Sequence, residues 1–113
     1  MRSASFSHDI HYKSDRPAIK VILESGFSKE IRIAMREGQV MKEHQSPFPI
    51  TVHLLSGNIE FGVEGRSIKL EPGSILALDG GVLHDLKAIS DSVIRLSLSK
   101  ADRPERVEKV AGG

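Results

Sequence analysis

From Ala18 onward, short apolar runs alternate with turn signals at close, regular spacing, and this leaves few architectures open to the chain. Ser25-Gly26 closes the run 18–23, and Ser56-Gly57-Asn58 joins 50–55 to 59–63. Gly65 leads into 67–70, Pro72-Gly73 into 75–78, and Asp79-Gly80-Gly81 into 82–88, with 93–98 as the last run. Each of these punctuators suits a tight reversal of direction. Within 29–36, Ile31, Ile33 and Met35 alternate with Glu30, Arg32, Ala34 and Arg36. A period of two places the apolar set on one face of a strand, whereas a helix would repeat at 3.6. The segment 37–49, bounded by Gly38 and by Pro47-Phe48-Pro49, reads as a loop. A frayed turn at 104–110 is the only helical expectation. The pattern predicts an all-β antiparallel barrel or jelly roll of about eight or nine strands.

The 113 residues fit one domain. Residues 1–16 are polar, with four Ser and two His (His8 and His11), and read as a flexible arm. The barrel domain spans 17–100, and 101–113 form a charged, mobile tail ending in Gly112-Gly113. Apolar residues make up 39% of the chain, with one Tyr and no Trp, so the core is modest. A small core, sheet edges that need cover, and an arm able to pair with a neighbour's sheet together predict a homodimer. The net charge of +1 comes from scattered Lys and Arg, which argues against nucleic acid as a partner. No cysteine is present, so disulfides and thiolate metal sites are excluded, and His and carboxylates are the available ligands. Residues 1–10 hold no apolar run of the secretory type, and no stretch approaches the roughly 20 apolar residues of a membrane span. The expected location is the cytoplasm, with no membrane partner.

Two glycine-framed segments narrow the reading. Gly38 is followed by five residues and His44, then one residue and Ser46, three and Ile50, six and Gly57. Gly73 is followed by five residues and Asp79, one and Gly81, two and His84, three and Ala88. In spacing and order these resemble the two motifs of the cupin family, over roughly 18–100. The first family motif carries two His and a Glu between its glycines, and the second a Pro, Gly, His and Asn. Here Ser46 stands in place of the second His, Ile50 in place of the Glu, Asp79 in place of the Pro and Ala88 in place of the Asn.

The resemblance implies a small cupin barrel with one interior ligand pocket. The family's metal site uses three His and one Glu, of which His44 and His84 remain. Two imidazoles are fewer donors than the three or so of a catalytic zinc or the facial triad of non-haem iron. The expected site is therefore partial: His44 and His84 as ligands to a loosely held divalent ion (Fe, Zn, Mn or Ni), with Glu43 or His53 as additional donors. The pocket is expected to be lined by His44, Ser46, Ile50, His84, Met35, Met41, Phe48 and Val52. If Ile50 faces inward, alternation sends His53 to the opposite face unless a bulge intervenes. Asp85 points away from His84 for the same reason. Ile33, Met35, Val52, Leu54, Phe61, Leu86, Ile94 and Leu96 are expected to form the core, and Arg95 to face away from it. Three functions fit this reading. The first is a small-molecule-binding cupin with a partial metal site. The second is a metal-dependent enzyme of the oxygenase or isomerase type using His44 and His84. The third is a metal-free enzyme in which one of these imidazoles is a general base.

Overall fold

The computed structural model describes residues 1–100, and these hold nine strands. They are β1 (Ala18–Glu24), β2 (Ser28–Met35), β3 (Val40–His44), β4 (Ile50–Ser56), β5 (Ile59–Val63), β6 (Arg66–Leu70), β7 (Ile75–Leu78), β8 (His84–Ala88) and β9 (Ser92–Ser99). A five-stranded sheet runs β1-β2-β9-β4-β7 and a four-stranded sheet runs β3-β8-β5-β6, with every pairing antiparallel. The all-β jelly roll expected from the turn spacing is the fold observed. The turn expected at 104–110 and the tail lie outside the described residues.

One expectation needs correcting. The loop read across 37–49 contains β3, a strand whose sequence is Val-Met-Lys-Glu-His. Adjacent Lys42 and Glu43 hide its alternation, and it pairs on one side only, with β8, so most of it stays exposed. An edge strand has only one flank to bury, and its sequence carries a correspondingly faint signal.

Alternation builds the core. On β4, Ile50, Val52 and Leu54 are buried while Thr51, His53 and Leu55 are only half-buried. Ile33 and Met35 of β2, Ile59, Phe61 and Val63 of β5, Leu86 and Ala88 of β8, and Ile94 of β9 meet them between the sheets. Leu96 packs at the margin of this cluster rather than inside it. Met35, Leu54 and Phe61 are wholly buried. Each such side chain contributes about 1.5–3 kcal/mol relative to exposure.

The outer face of the five-stranded sheet is polar and partly covered. Arg32 is 4% exposed. Its guanidinium donates to the backbone carbonyls of Phe6 (3.2 Å), His8 (2.8 Å) and Asp9 (3.0 Å). The Tyr12 ring lies 4.6 Å from the Arg36 guanidinium carbon, and the Gln39 amide donates to the Lys13 carbonyl at 2.7 Å. The arm, expected to be flexible, is thus tied down at its middle and again near Lys13. The cause is a buried cation that takes its acceptors from the arm's backbone.

Beside Arg32, Glu30 accepts from Arg95 Nε at 2.7 Å and from the Ser97 hydroxyl at 2.6 Å. Burial raises the Glu30 carboxyl's pKa, but the hydrogen bonds from Ser97 and Arg95 outweigh it and hold the group below the ordinary carboxylate value. A depressed folded value means the stabilisation is full above the unfolded pKa and is lost as pH falls through the folded one. Glu30→Gln is expected to cost about 1–2 kcal/mol at neutral pH. Its thermal midpoint should converge on that of the unsubstituted protein as pH falls from about 5 to 3. Parallel midpoints across that interval would refute the assignment.

Candidate functional site

The chemistry-bearing residues meet where β3 and β8 pair. Met41 stands opposite Leu86, yet the next matched pair is His44 with His84, so β3 spends three residues where β8 spends two. Continued alternation from Met41 would have set Glu43 opposite His84. The bulge at Lys42-Glu43 inserts one residue and brings His44 round instead, the re-aiming that β-bulges perform beside functional sites. The two imidazole centroids are 4.3 Å apart, with ring planes inclined at 59°.

Loops on either side hold this arrangement. The Gly81 N–H donates to the Ser46 carbonyl at 2.8 Å, tying the segment after β3 to the turn before β8. A Cβ on Gly80 would come within 2.6 Å of the Pro47 carbonyl oxygen, so a side chain there would force the segments apart.

Both rings are oriented by their own strands. His44 Nδ1 lies 2.7 Å from the Lys42 carbonyl and His84 Nδ1 lies 2.9 Å from the Val82 carbonyl. A carbonyl oxygen only accepts, so in each ring the Nδ1 carries the proton. In the neutral imidazoles, both Nε2 lone pairs are left free. A carbonyl on the distal nitrogen is the usual way a metal-binding or basic imidazole is fixed in one tautomer. The surroundings differ: His84 is 3% exposed and stacks on Phe61 at 5.6 Å between centroids, whereas His44 is exposed. One ring of the pair is buried and the other is exposed.

The remaining sequence candidates divide into three groups. Ser46 is half-buried on the loop between β3 and β4, where its Oγ accepts from the Phe48 N–H at 3.2 Å, and Phe48 itself is exposed. Ile50 is buried on the inward face of β4, and Met41 packs at the edge of the core. Met35 and Val52 are part of the closed core, 0% and 2% exposed. Among the described residues no third His, Asp or Glu joins the imidazole pair, so neither Glu43 nor His53 completes it. Glu43 is turned away by the bulge and lines an outer groove of about 650 Å³ with Lys42, Lys87 and Asp85. His53 stands on the face opposite Ile50, in register with Arg95 and Ile75, its Nδ1 buried without a partner. Asp85 is directed away from the pair and lies over Gly62, which leaves it room.

The candidate donor set therefore consists of the two imidazole Nε2 atoms, with the Gln45 and Ser46 side chains nearby in sequence. It fits half of a divalent ion's shell and does not reproduce a four-ligand centre. The bulge, the Nδ1 contacts and the Phe61 stack carry no mark in the sequence. Each depends on register or backbone acceptors that any residue could supply.

No known family profile matches the sequence, and no curated protein does either. Solved structures do match. An RmlC-like cupin protein from Desulfovibrio desulfuricans is 20% identical with a TM-score of 0.80, over 88% of this chain and 96% of that one. An uncharacterised conserved protein with a double-stranded β-helix domain from Klebsiella pneumoniae is 22% identical with a TM-score of 0.76, covering 88% and 89%. KdgF from Halomonas sp. is 19% identical with a TM-score of 0.73, covering 93% and 98%. Likeness at these identities establishes the fold: the chain has the double-stranded β-helix architecture of the small cupins.

Proposed function

We propose that this cupin domain binds a small molecule at the mouth of its barrel, against His44 and His84, with a divalent metal ion held weakly by the two imidazoles. The observation that carries the reading is the pair of Nδ1 contacts, which leave two free Nε2 lone pairs on rings 4.3 Å apart. A structural pair of histidines would need no such common orientation. The ion, when bound, would supply Lewis acidity toward an oxygen of the bound molecule. His44 and His84 would hold it, Phe61 would fix the His84 plane, and the stapled 45–49 and 79–81 segments would frame the entrance. The homodimer expected from the small core is kept as part of this reading. It is supported by Ile19 and Val21, which stand exposed on the edge strand β1.

Equilibrium dialysis against zinc, nickel or manganese provides the test. His44→Ala, an exposed position, should weaken uptake at least about tenfold and leave the thermal midpoint nearly unchanged. His84→Gln should do the same to uptake with some loss of stability. Uptake that is unaffected by either substitution would place the ion elsewhere and end this assignment.

A further inference from the structure

Asp85 lies on the face of β8 opposite His84, in a groove of about 650 Å³ on the outer side of the four-stranded sheet. We infer that this groove is a second binding site, one that takes an organic cation: a primary ammonium joined to an apolar body. The inference goes beyond the reading of the imidazole pair and does not depend on it.

Three observations carry it. The first is the floor. Gly62 lies within β5, an inner strand of its sheet, and pairs with Ser67 of β6 on one side and Asp85 of β8 on the other. Glycine inside a strand weakens it and marks a place where something comes close to the backbone. Here that is the Asp85 carboxyl: a Cβ on Gly62 would lie 2.9 Å from its carbon and from one of its oxygens. The carboxylate is let into the sheet by the glycine, and Asp85 is half-buried. The second observation is that this carboxylate lacks a counter-charge. Among the described residues no cation lies within ion-pair distance of it, although Lys42 and Lys87 line the same groove. Ser67, its neighbour across Gly62, donates its hydroxyl proton to Glu60 at 3.0 Å instead. A glycine in an inner strand and a half-buried carboxylate without an ion-pair partner are both unfavourable for a sheet that has only to fold. Local rules broken together at one point mark a site, and an arriving ammonium would give the carboxylate its charged donor.

The third observation is what surrounds the floor. The groove has the volume of a small-molecule site. Val40 and Leu83 line it, each 49% exposed, and offer an apolar surface to the body of a ligand. Glu43, Glu60 and Glu64 join Asp85 as acids against the bases Lys42, Lys87 and Arg66, so the excess charge of the lining favours a cation. The bases sit on long stems that can carry their charges out to solvent, whereas Asp85 is short and seated on the glycine. Among the described residues these acids form no group able to hold a metal ion, which leaves a cation that brings its own hydrogen-bond donors and apolar surface.

The test is an amide-resolved NMR titration of the full chain with phenethylammonium, and with 3-phenylpropionate as the same apolar body carrying the opposite charge. Phenethylammonium is expected to bind with a Kd of about 1 mM or tighter, shifting the amides around Gly62 and Asp85 most. 3-Phenylpropionate should bind at least about tenfold more weakly, and Asp85→Asn should weaken the ammonium by about the same factor while leaving the fold intact. Gly62→Ala, which displaces the carboxyl from its seat, should weaken it likewise. The added methyl meets side-chain atoms alone, so this variant is expected to fold, and Asp85→Asn decides the matter if it does not. Equal affinity for the two probes, or unaltered affinity in Asp85→Asn, would overturn the inference. Shifts centred on another face of the barrel, or no saturable binding below about 10 mM, would overturn it as well.

Discussion

Gly57→Ala is expected to lower the unfolding free energy by about 3–4 kcal/mol, the largest loss any single added methyl should cause in this barrel. Two costs combine. Gly57 has φ +92°, a conformation in which an L side chain is strained by about 1–2 kcal/mol. Its missing Cβ is also where the neighbouring turn sits. A methyl there would lie 2.6 Å from Ser92 Cα and closer still to the Ser92 hydroxyl and the Asp91 carbonyl. Backbone cannot swing aside as the tip of a flexible side chain can, so the β4–β5 and β8–β9 turns must separate. The separation breaks a buried link. Ser92 is fully buried, and its hydroxyl accepts from the Asn58 N–H at 3.0 Å and donates to the Ser90 carbonyl at 2.8 Å. Gly73→Ala is the control, because Gly73 has nearly the same φ, +94°, with no atom within 4 Å of its virtual Cβ. That variant should lose only the conformational part, about 1–2 kcal/mol. Thermal unfolding should put Gly57→Ala roughly 15–25 °C below the unsubstituted protein and Gly73→Ala much nearer to it. Midpoints for the two variants within a few degrees of each other would show that the contact with Ser92 contributes nothing.

The contrast between these glycines shows what a single sequence can reveal. Both read as turns, because a reversal between strands selects glycine whatever else surrounds it, but only coordinates show that Gly57 is pressed against a second turn and Gly73 is not. The same division runs through the site. That His44 and His84 come together was legible because the framing glycines sit at fixed intervals in the chain, and chain intervals are what a sequence records. The device that lets them face each other was not. A bulge is a mismatch between two strands far apart in sequence, and Lys42-Glu43 carries no glycine to advertise it. Alternation predicted Ile50, Val52 and Leu54 on one face and His53 on the other, because β4 is flanked on both sides and its period survives intact. It failed on β3, which pairs on one side and carries its charges where the period should show. The contacts of the arm were hidden for a third reason. What pins it is the carbonyl oxygens of Phe6, His8 and Asp9, and every residue possesses a carbonyl.

Those carbonyls give the second large expected effect: Arg32→Met should cost about 2–4 kcal/mol and release the N-terminal arm. Arg32 lies in the middle of β2, between the pairings with β1 and β9, and is 4% exposed. Among the described residues no carboxylate lies within ion-pair distance of it, so its charge is balanced by three carbonyl dipoles instead. Asp9, at the end of that clasp, has φ +51°, a conformation uncommon outside glycine, and the clasp is what holds it there. Methionine keeps the apolar stem and removes all three charge-assisted bonds. The arm's carbonyls then do better in water than against a thioether, so the loss should appear as undocking rather than as a buried defect. Arg32→Lys should recover only part of the difference, since one ammonium cannot reproduce the planar fork that reaches three acceptors at once. Trypsin reports the undocking directly. Lys13 is held by the Gln39 side chain through its carbonyl, and the bond after it should become cleavable in Arg32→Met at concentrations that leave the unsubstituted arm intact. A variant whose arm stays as resistant as before, with an unchanged thermal midpoint, would mean that the three carbonyl contacts are incidental. The arm would then be held by its contacts near Arg36 and Gln39 alone.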